Sequence, residues 1–313
     1  MLSLNFANPK DTQIAFVISK YPDGQQDMRI IDKEEQQKLI AKGDLSPNTM
    51  KETELCFDDF KDREVTIASR FNNYNDLNLI KCAVACLRRL KAGRISLYIP
   101  YLLGARADRK FAKGGCSYLV DVISPDIRAL GFDDVFVMDV HSEVSPGCIP
   151  NLENISVLSK LTNLAIQEIK SQGKTHCHFI SPDSGASKRS FETCKDLVVE
   201  FTELTNFFDL IECAKHRDML SGKILETVIP VADMNGEDAL MVDDICSKGG
   251  TFMGLASKMT EKNAGDKYLI VTHFEGTADL EKLKAAGIKG VFTTNSIGNF
   301  ETPDGFIKQI NVF

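Results

Sequence analysis

The sequence predicts an α/β protein of two domains, each a largely parallel sheet flanked by helices. Three observations carry that expectation. Apolar strand patterns alternate with helical patterns along most of the chain, which implies parallel strands joined by right-handed crossovers. At 313 residues the chain is too long for one modest core. Four of the strand patterns end in a polar burst, as ligand-binding parallel sheets do at their carboxyl edge.

The elements follow in order. NDLNLIKCAVACLRRLKAG, 75–93, has helical spacing, an Asn/Asp cap and a closing Gly93. RISLYIPYL, 94–102, reads as a strand. A helical pattern at 117–131 is interrupted by Pro125, which breaks or kinks it. DDVFVMDVH, 133–141, is the next strand. Residues 148–156, CIPNLENIS, make the best boundary, dividing a domain 1–150 from a domain 151–305. A helix at 153–173, a strand at 176–183, a helix at 185–197 and the segment FFDLIECAKHRD, 207–218, come next. The strand from Ala239 to Val242, a helix at 249–263, YLIVTHF and GVFTTNS complete the rhythm. The last apparent strand, within 306–313, is free to return to the first domain.

Composition narrows the function. The 43% hydrophobic and 26% charged residues suit a soluble globular enzyme. A net charge of −7 argues against nonspecific nucleic-acid binding or an anionic membrane surface, so an anionic ligand needs a local cluster of donors. No signal peptide or membrane-length apolar run is visible, and nine scattered cysteines without a C-x-x-C pair suit the reducing cytoplasm. Cys82 and Cys86 share a helix face without a second ligand pair, which reads as packing. His176 and His178 alternate on a strand; with no third ligand apparent, they too read as packing or surface residues.

The densest motif is DALMVDDICSKGGTF, 238–252. An apolar run leads to Asp243 and Asp244, whose carboxylates suit hydroxyls such as a ribose cis-diol. Ser247, Lys248, Gly249, Gly250 and Thr251 follow. Glycines let successive N–H groups point into one concavity, and the next helix adds its positive end. Charge-assisted hydrogen bonds contribute roughly 1.5–3 kcal/mol each, so three or four hold a phosphate monoester. The plainer reading is a strand-to-helix turn with acidic residues before it. On the residues alone, Lys215 and Arg217 are a solvated charge pair, and His141 is a satisfied strand-end histidine.

These strings resemble the ribose-phosphate pyrophosphokinase family, related to class I phosphoribosyltransferases. VDDICSKGGT is similar to the phosphoribosyl-pyrophosphate loop, which both groups share. GARADRK, FVMDVHSE, ISPDSGASKR and YPDGQ are similar to motifs of the pyrophosphokinases, and the resemblance runs with gaps from about Tyr21 to about Ser296. It implies two phosphoribosyltransferase-type domains with the site at their junction, and Mg²⁺-dependent transfer of the β,γ-pyrophosphoryl group of ATP to ribose 5-phosphate. It implies catalytic roles for Lys215 and Arg217, and metal contact for His141 and Asp183. ATP binding falls to Tyr21, Asp23, Gln25, Arg106, Asp108 and Arg109. Ribose 5-phosphate binding falls to Asp243, Asp244 and residues 247–251. It also implies a homo-oligomer, because the loop at Tyr21 reaches a neighbouring subunit in the family. The chain departs from the family pattern at Ala107 for Gln, Gln25 for Glu, Ser247 and Lys248 for Asp-Thr, and Ala186 for a second glycine; no closing helix follows the last strand. These departures leave room for a catalytically silent regulatory subunit. A phosphoribosyltransferase shares the 242–251 loop but gives no reason for the other strings.

Overall fold

The computed structural model describes residues 1–217 and 224–313, with side chains described for 1–215 and 226–313. The chain divides into two compact units, Met1–Ile155 together with Phe313, and Ser156–Val312.

In the first unit the elements are β1 Leu2–Asn5, β2 Phe16–Lys20, β3 Gln26–Ile30, α1 Lys33–Lys42, β4 Val65–Ala68, α2 Tyr74–Arg89, β5 Ile95–Tyr98, α3 Ser124–Leu130, β6 Asp134–Met138, α4 Ser145–Cys148 and β7 Leu152–Ile155. Strands β1-β4-β5-β6-β7 form a five-stranded sheet with parallel neighbours throughout. Strands β2 and β3 form a separate antiparallel hairpin. The core gathers Leu4, Ile67, Leu97 and Val137 from the sheet with Leu77, Ile80, Ala83, Val84 and Leu87 from α2. Those α2 positions recur every three or four residues, which places them on one helix face. Cys82 and Cys86 pack beside this core.

Local chemistry explains the differences from the sequence reading. Helix α2 is capped by Asn73, whose side chain accepts from the N–H groups of Asn75 and Asp76, while Asp76 reaches back to Asn73. Its carboxyl end comes at Arg89 rather than Gly93, because Lys91 takes the left-handed conformation (φ 60°). Gly93 serves a close approach instead: a Cβ there would lie 2.9 Å from the Asp62 carbonyl oxygen. Around Pro125 the helix divides into a π turn, Tyr118–Ile123, and α3, with the proline in the first turn of α3. A ring without an N–H is tolerated at that position. Residues 153–155, expected to begin a helix, extend β6 sideways as strand β7, and the helix starts only at Leu158.

The second unit contains α5 Leu158–Ser171, β8 Cys177–Ser181, α6 Ser187–Glu200, β9 Phe208–Glu212, β10 Ala214–Arg217, β11 Ile224–Val228, β12 Asp238–Cys246, α7 Gly250–Glu261, β13 Lys267–Phe274, α8 Leu280–Ala285, β14 Ile288–Thr294 and β15 Ile307–Ile310. The six-stranded sheet runs β15-β14-β13-β12-β8-β9, with every adjacent pair parallel. β10 and β11 form an antiparallel ribbon. Burial of nearly every residue of β12 and β13 is the pattern of a sheet covered on both faces. Strand β12 continues through Asp243 and Asp244 to Cys246, because β13 pairs with it as far as Phe274. The two acids therefore lie within a central strand. The closing strand does not return to the first unit: β15 pairs with β14, from Val291↔Ile307 to Thr294↔Ile310. Parallel pairing buries Ile307 beside Val291 and gives the strand's backbone groups their partners.

Candidate active-site elements and their relatives

In the second unit, the carboxyl ends of β8, β12 and β13 lie along one edge of the sheet, as parallel pairing requires. Beyond β12 the backbone turns through Gly249 (φ 76°) into α7. A Cβ on Gly249 would stand 2.9 Å from Leu283 Cδ2, so glycine answers both the conformation and the crowding from α8. No side chain caps the amino end of α7, leaving first-turn N–H groups for an anion. Around a Cβ built on Gly250 there is open space. Lys248 is exposed at the tip of this loop, Gly250 is exposed, and Thr251 is half-buried in the first helical turn. Ser247 is tied down differently: its hydroxyl donates to the Glu275 carboxylate at the end of β13. The Glu275 N–H donates in turn to the Cys246 carbonyl at 2.9 Å.

The Asp243–Asp244 pair has a counter-ion that the sequence reading did not single out. Arg189 on α6 places Nη1 3.0 Å from Asp243 Oδ1 and 2.9 Å from Asp244 Oδ1. Asp244 is 1% exposed and Asp243 is partly exposed. Burial and the neighbouring Asp244 carboxylate push the Asp243 carboxyl well above the usual carboxylate range, against the opposing pull of Arg189. The signal for Arg189 was the basic end of ISPDSGASKR, which helix α6 turns back toward β12.

A second ion pair joins two residues expected to have separate roles. Lys215 Nζ lies 2.6 Å from Asp183 Oδ2, with the lysine side chain only 5% exposed and the aspartate 30%. Asp183 follows β8, and its other oxygen accepts from the Gly185 N–H at 3.0 Å. Burial opposes ionisation of Asp183, but the Lys215 hydrogen bond and charge, helped by the Gly185 and Ala186 N–H groups, hold it below the usual carboxylate range. Arg217 ends β10, two residues beyond Lys215, and its side chain lies outside the described residues.

The first unit presents its own set. Tyr21, Asp23 and Gln25 form the exposed tip of the β2–β3 hairpin. The Tyr21 N–H donates to the Gln25 carbonyl at 2.9 Å, and the Tyr21 hydroxyl donates to Asp27 Oδ2 at 3.0 Å. Asp23 Oδ1 accepts from the Gln25 N–H at 3.1 Å, which stiffens the turn. After β5, Arg106 and Arg109 are exposed and Asp108 is half-buried. The Ser142 hydroxyl donates to Asp108 Oδ2 at 2.8 Å, so this loop is fastened to the one after β6. His141 is exposed in that second loop, just beyond the buried Asp139 with its unusual φ of 36°.

The donor chemistry fits Mg²⁺ best at Asp183. It is held ionised, is partly exposed, and retains acceptor capacity after its two hydrogen bonds. His141 offers nitrogen, a less favoured donor for this hard cation.

Several curated proteins resemble this chain. Ribose-phosphate pyrophosphokinase of Vibrio parahaemolyticus is 28% identical over 226 residues, covering 70% of this chain and 67% of that protein. The protein of the same name from Sulfurisphaera tokodaii is 27% identical over 213 residues, covering 67% and 68%. No family model matches. Among solved structures, phosphoribosylpyrophosphate synthetase from Mycobacterium smegmatis superposes with a TM-score of 0.70 over 96% of this chain and 86% of its own; at 18% identity the likeness is one of fold. The resemblance carried by the motifs therefore stands over about 70% of the chain in sequence comparison: this chain is similar to the ribose-phosphate pyrophosphokinases.

Proposed function

We propose that this chain is a ribose-phosphate pyrophosphokinase, forming phosphoribosyl pyrophosphate and AMP from ATP and ribose 5-phosphate with Mg²⁺. The observation that carries the reading is the carboxyl edge of the second sheet. There the Asp243–Asp244 pair near the end of β12, the uncapped glycine turn after it and the buried Lys215–Asp183 pair belong to one unit. Relatives that bear the activity in their name support it.

In this reading Asp243 and Asp244 accept hydrogen bonds from the ribose hydroxyls. Backbone N–H groups of 247–251 and the hydroxyl of Thr251 bind the 5-phosphate, and Lys248 adds a solvated charge. The anomeric oxygen bonds to the β-phosphorus of ATP while the bond from that phosphorus to the AMP oxygen breaks. Negative charge spreads over the transferring group, so positioning and electrostatic stabilisation do most of the work. Lys215 and Arg217 supply cations for that charge, with Asp183 holding the ammonium in place. Asp183, with His141 as the weaker candidate, would hold Mg²⁺, which would supply positive charge to the phosphate oxygens. Arg106 and Arg109 take the nucleotide by stacking or forked hydrogen bonds, and Asp108 with Tyr21, Asp23 and Gln25 reads its edges. The exposed hairpin tip suits a contribution to a neighbouring subunit, which makes the active protein a homo-oligomer in the cytoplasm.

A second reading, a catalytically silent subunit, is favoured by one contact. The carboxylate of Glu275 holds the hydroxyl of Ser247 beside the proposed phosphate cradle. The two readings separate when the purified chain, without a partner, is incubated with ATP, Mg²⁺ and ribose 5-phosphate, omitting each in turn. AMP appearing only with all three supports the enzyme. Its absence, with ribose 5-phosphate still bound, supports the silent subunit.

A further inference from the structure

At the opposite end of strand β8 from Asp183, three side chains meet that the proposed reaction does not use. His176 and His178 lie two residues apart and face the same side, as alternation in an extended segment dictates. From sequence alone they lack a third ligand. The neighbouring strand supplies it: His178 is the register partner of Asp209 on β9. One nitrogen from each histidine and a carboxylate oxygen of Asp209 all lie within 4.8 Å of one another.

The arrangement around His178 is informative. Its Nδ1 is 2.6 Å from Asp209 Oδ1, and its Nε2 is 3.3 Å from the Met234 carbonyl oxygen. A neutral imidazole has one N–H for these two acceptors. With its proton on Nδ1 the ring donates to Asp209; with the proton on Nε2 it donates to Met234, and Nδ1 and the Asp209 carboxylate are then neighbouring donors for one cation. A backbone carbonyl receiving the far N–H is the usual support of a metal-bound histidine. His176 Nε2 lies 3.6 Å from the same Asp209 oxygen. That separation is close to the roughly 3.3 Å between two ligands each about 2.0–2.1 Å from one tetrahedral ion, whereas the 2.6 Å from His178 Nδ1 to Asp209 Oδ1 is a hydrogen-bond distance that a bound ion would open by about 0.7 Å. The centroids of the two rings are 5.4 Å apart and their planes nearly perpendicular, so the nitrogens converge without stacking.

We infer that His176, His178 and Asp209 form a site for a borderline transition-metal dication such as Zn²⁺. The site is separate from the proposed catalytic Mg²⁺ and leaves one coordination position to water. Two imidazoles and one carboxylate suit Zn²⁺, Ni²⁺ or Co²⁺ and disfavour Mg²⁺, which takes oxygen. The partial exposure of His176 and Asp209 gives the ion a path from solvent. The ion would fasten β9, the edge strand of the sheet, to β8. β9 leads directly through Cys213 to Lys215, so the clamp also steadies the approach to that residue. The inference does not depend on the reaction proposed above.

Equilibrium dialysis of the full chain against Zn²⁺ in excess Mg²⁺ tests it, with Co²⁺ absorption as a second reading of the ligand set. The expected result is one Zn²⁺ per chain, and a Co²⁺ spectrum without thiolate charge transfer. His176→Gln and Asp209→Asn, both at partly exposed positions, should weaken binding at least tenfold while circular dichroism stays unchanged. A chain carrying Cys56→Ser and Cys116→Ser, the two exposed thiols, should bind as the wild type does. Absence of stoichiometric binding, wild-type affinity in His176→Gln, or loss of binding on removing the thiols would each overturn the assignment.

Discussion

Lys215 and Asp183 form an ion pair in which the ammonium is almost completely withdrawn from water while the carboxylate keeps a partly open face. A lysine held this way is pre-positioned: its counter-ion fixes it before substrate arrives and shares it when new negative charge develops. Lys215→Ala should therefore lower kcat on the order of 10²-fold or more, the scale of losing one donor to a charged transition state. The KM for ribose 5-phosphate should change little, because the contact strengthens only during transfer. Steady-state kinetics checks this. Retained turnover with weakened ribose 5-phosphate affinity would assign Lys215 to ground-state binding instead.

Arg189 carries the charge balance of the Asp243–Asp244 pair. Replacing it with methionine keeps most of the stem but removes a cation bonded to both acids, one of them fully buried. Breaking such a pair costs about 3–5 kcal/mol. Urea unfolding of Arg189→Met at alkaline pH, where Asp243 is charged, should show a loss of that order, and adding Asp243→Asn should recover part of it by removing one charge beside Asp244. Equal destabilisation of the single and double variants would mean that the loss comes from packing.

Stability should fall with rising pH because of Asp243. Its folded pKa is raised, so the folded chain keeps a proton that the unfolded chain has released. The contribution is complete below the unfolded value, about 4, and disappears as pH climbs through the raised folded value. The difference in melting temperature between wild type and Asp243→Asn, followed from pH 4 to 9, reports the titration of the Asp243–Asp244 pair. A difference that does not vary with pH across the window would contradict the raised value.

The phosphate turn gives an opposed pair of predictions. Lys248 is exposed, so Lys248→Ala should leave stability unchanged and raise the ribose 5-phosphate requirement several-fold, in line with about 0.5–1 kcal/mol for a solvated charge contact. Glu275→Gln should lower that requirement, since it removes a carboxylate beside the cradle while keeping an acceptor for Ser247. Titration with ribose 5-phosphate in the absence of ATP measures both. If neither variant shifts affinity, the phosphate does not sit at this turn.

Much of this was legible because it is local. The glycine turn, the two acids and the strand before them lie within fifteen consecutive residues, and each has its own short-range reason. The partners were not legible. Asp183 finds Lys215 across 32 positions, Asp243 and Asp244 find Arg189 across 54 and 55, and Ser247 finds Glu275 across 28. Parallel pairing sets those encounters, and periodicity along one segment carries no record of register. The same holds for Asp209, whose place opposite His178 follows from β9 lying beside β8. Short elements were lost for a different reason. Strand β7 has only four residues and merges with the apolar spacing of α5, and the β2–β3 hairpin turns on Gly24 in a stretch whose tip is wholly polar or exposed.

The central claim is that this chain itself transfers a pyrophosphoryl group. Phosphorus NMR of the purified protein with ATP, Mg²⁺ and ribose 5-phosphate tests it most directly, because the products differ in their phosphorus connectivity. Equal growth of AMP and of a sugar-linked diphosphate, dependent on ribose 5-phosphate, is the predicted result. Formation of ADP, or no consumption of ATP by a chain that still binds ribose 5-phosphate, would contradict it.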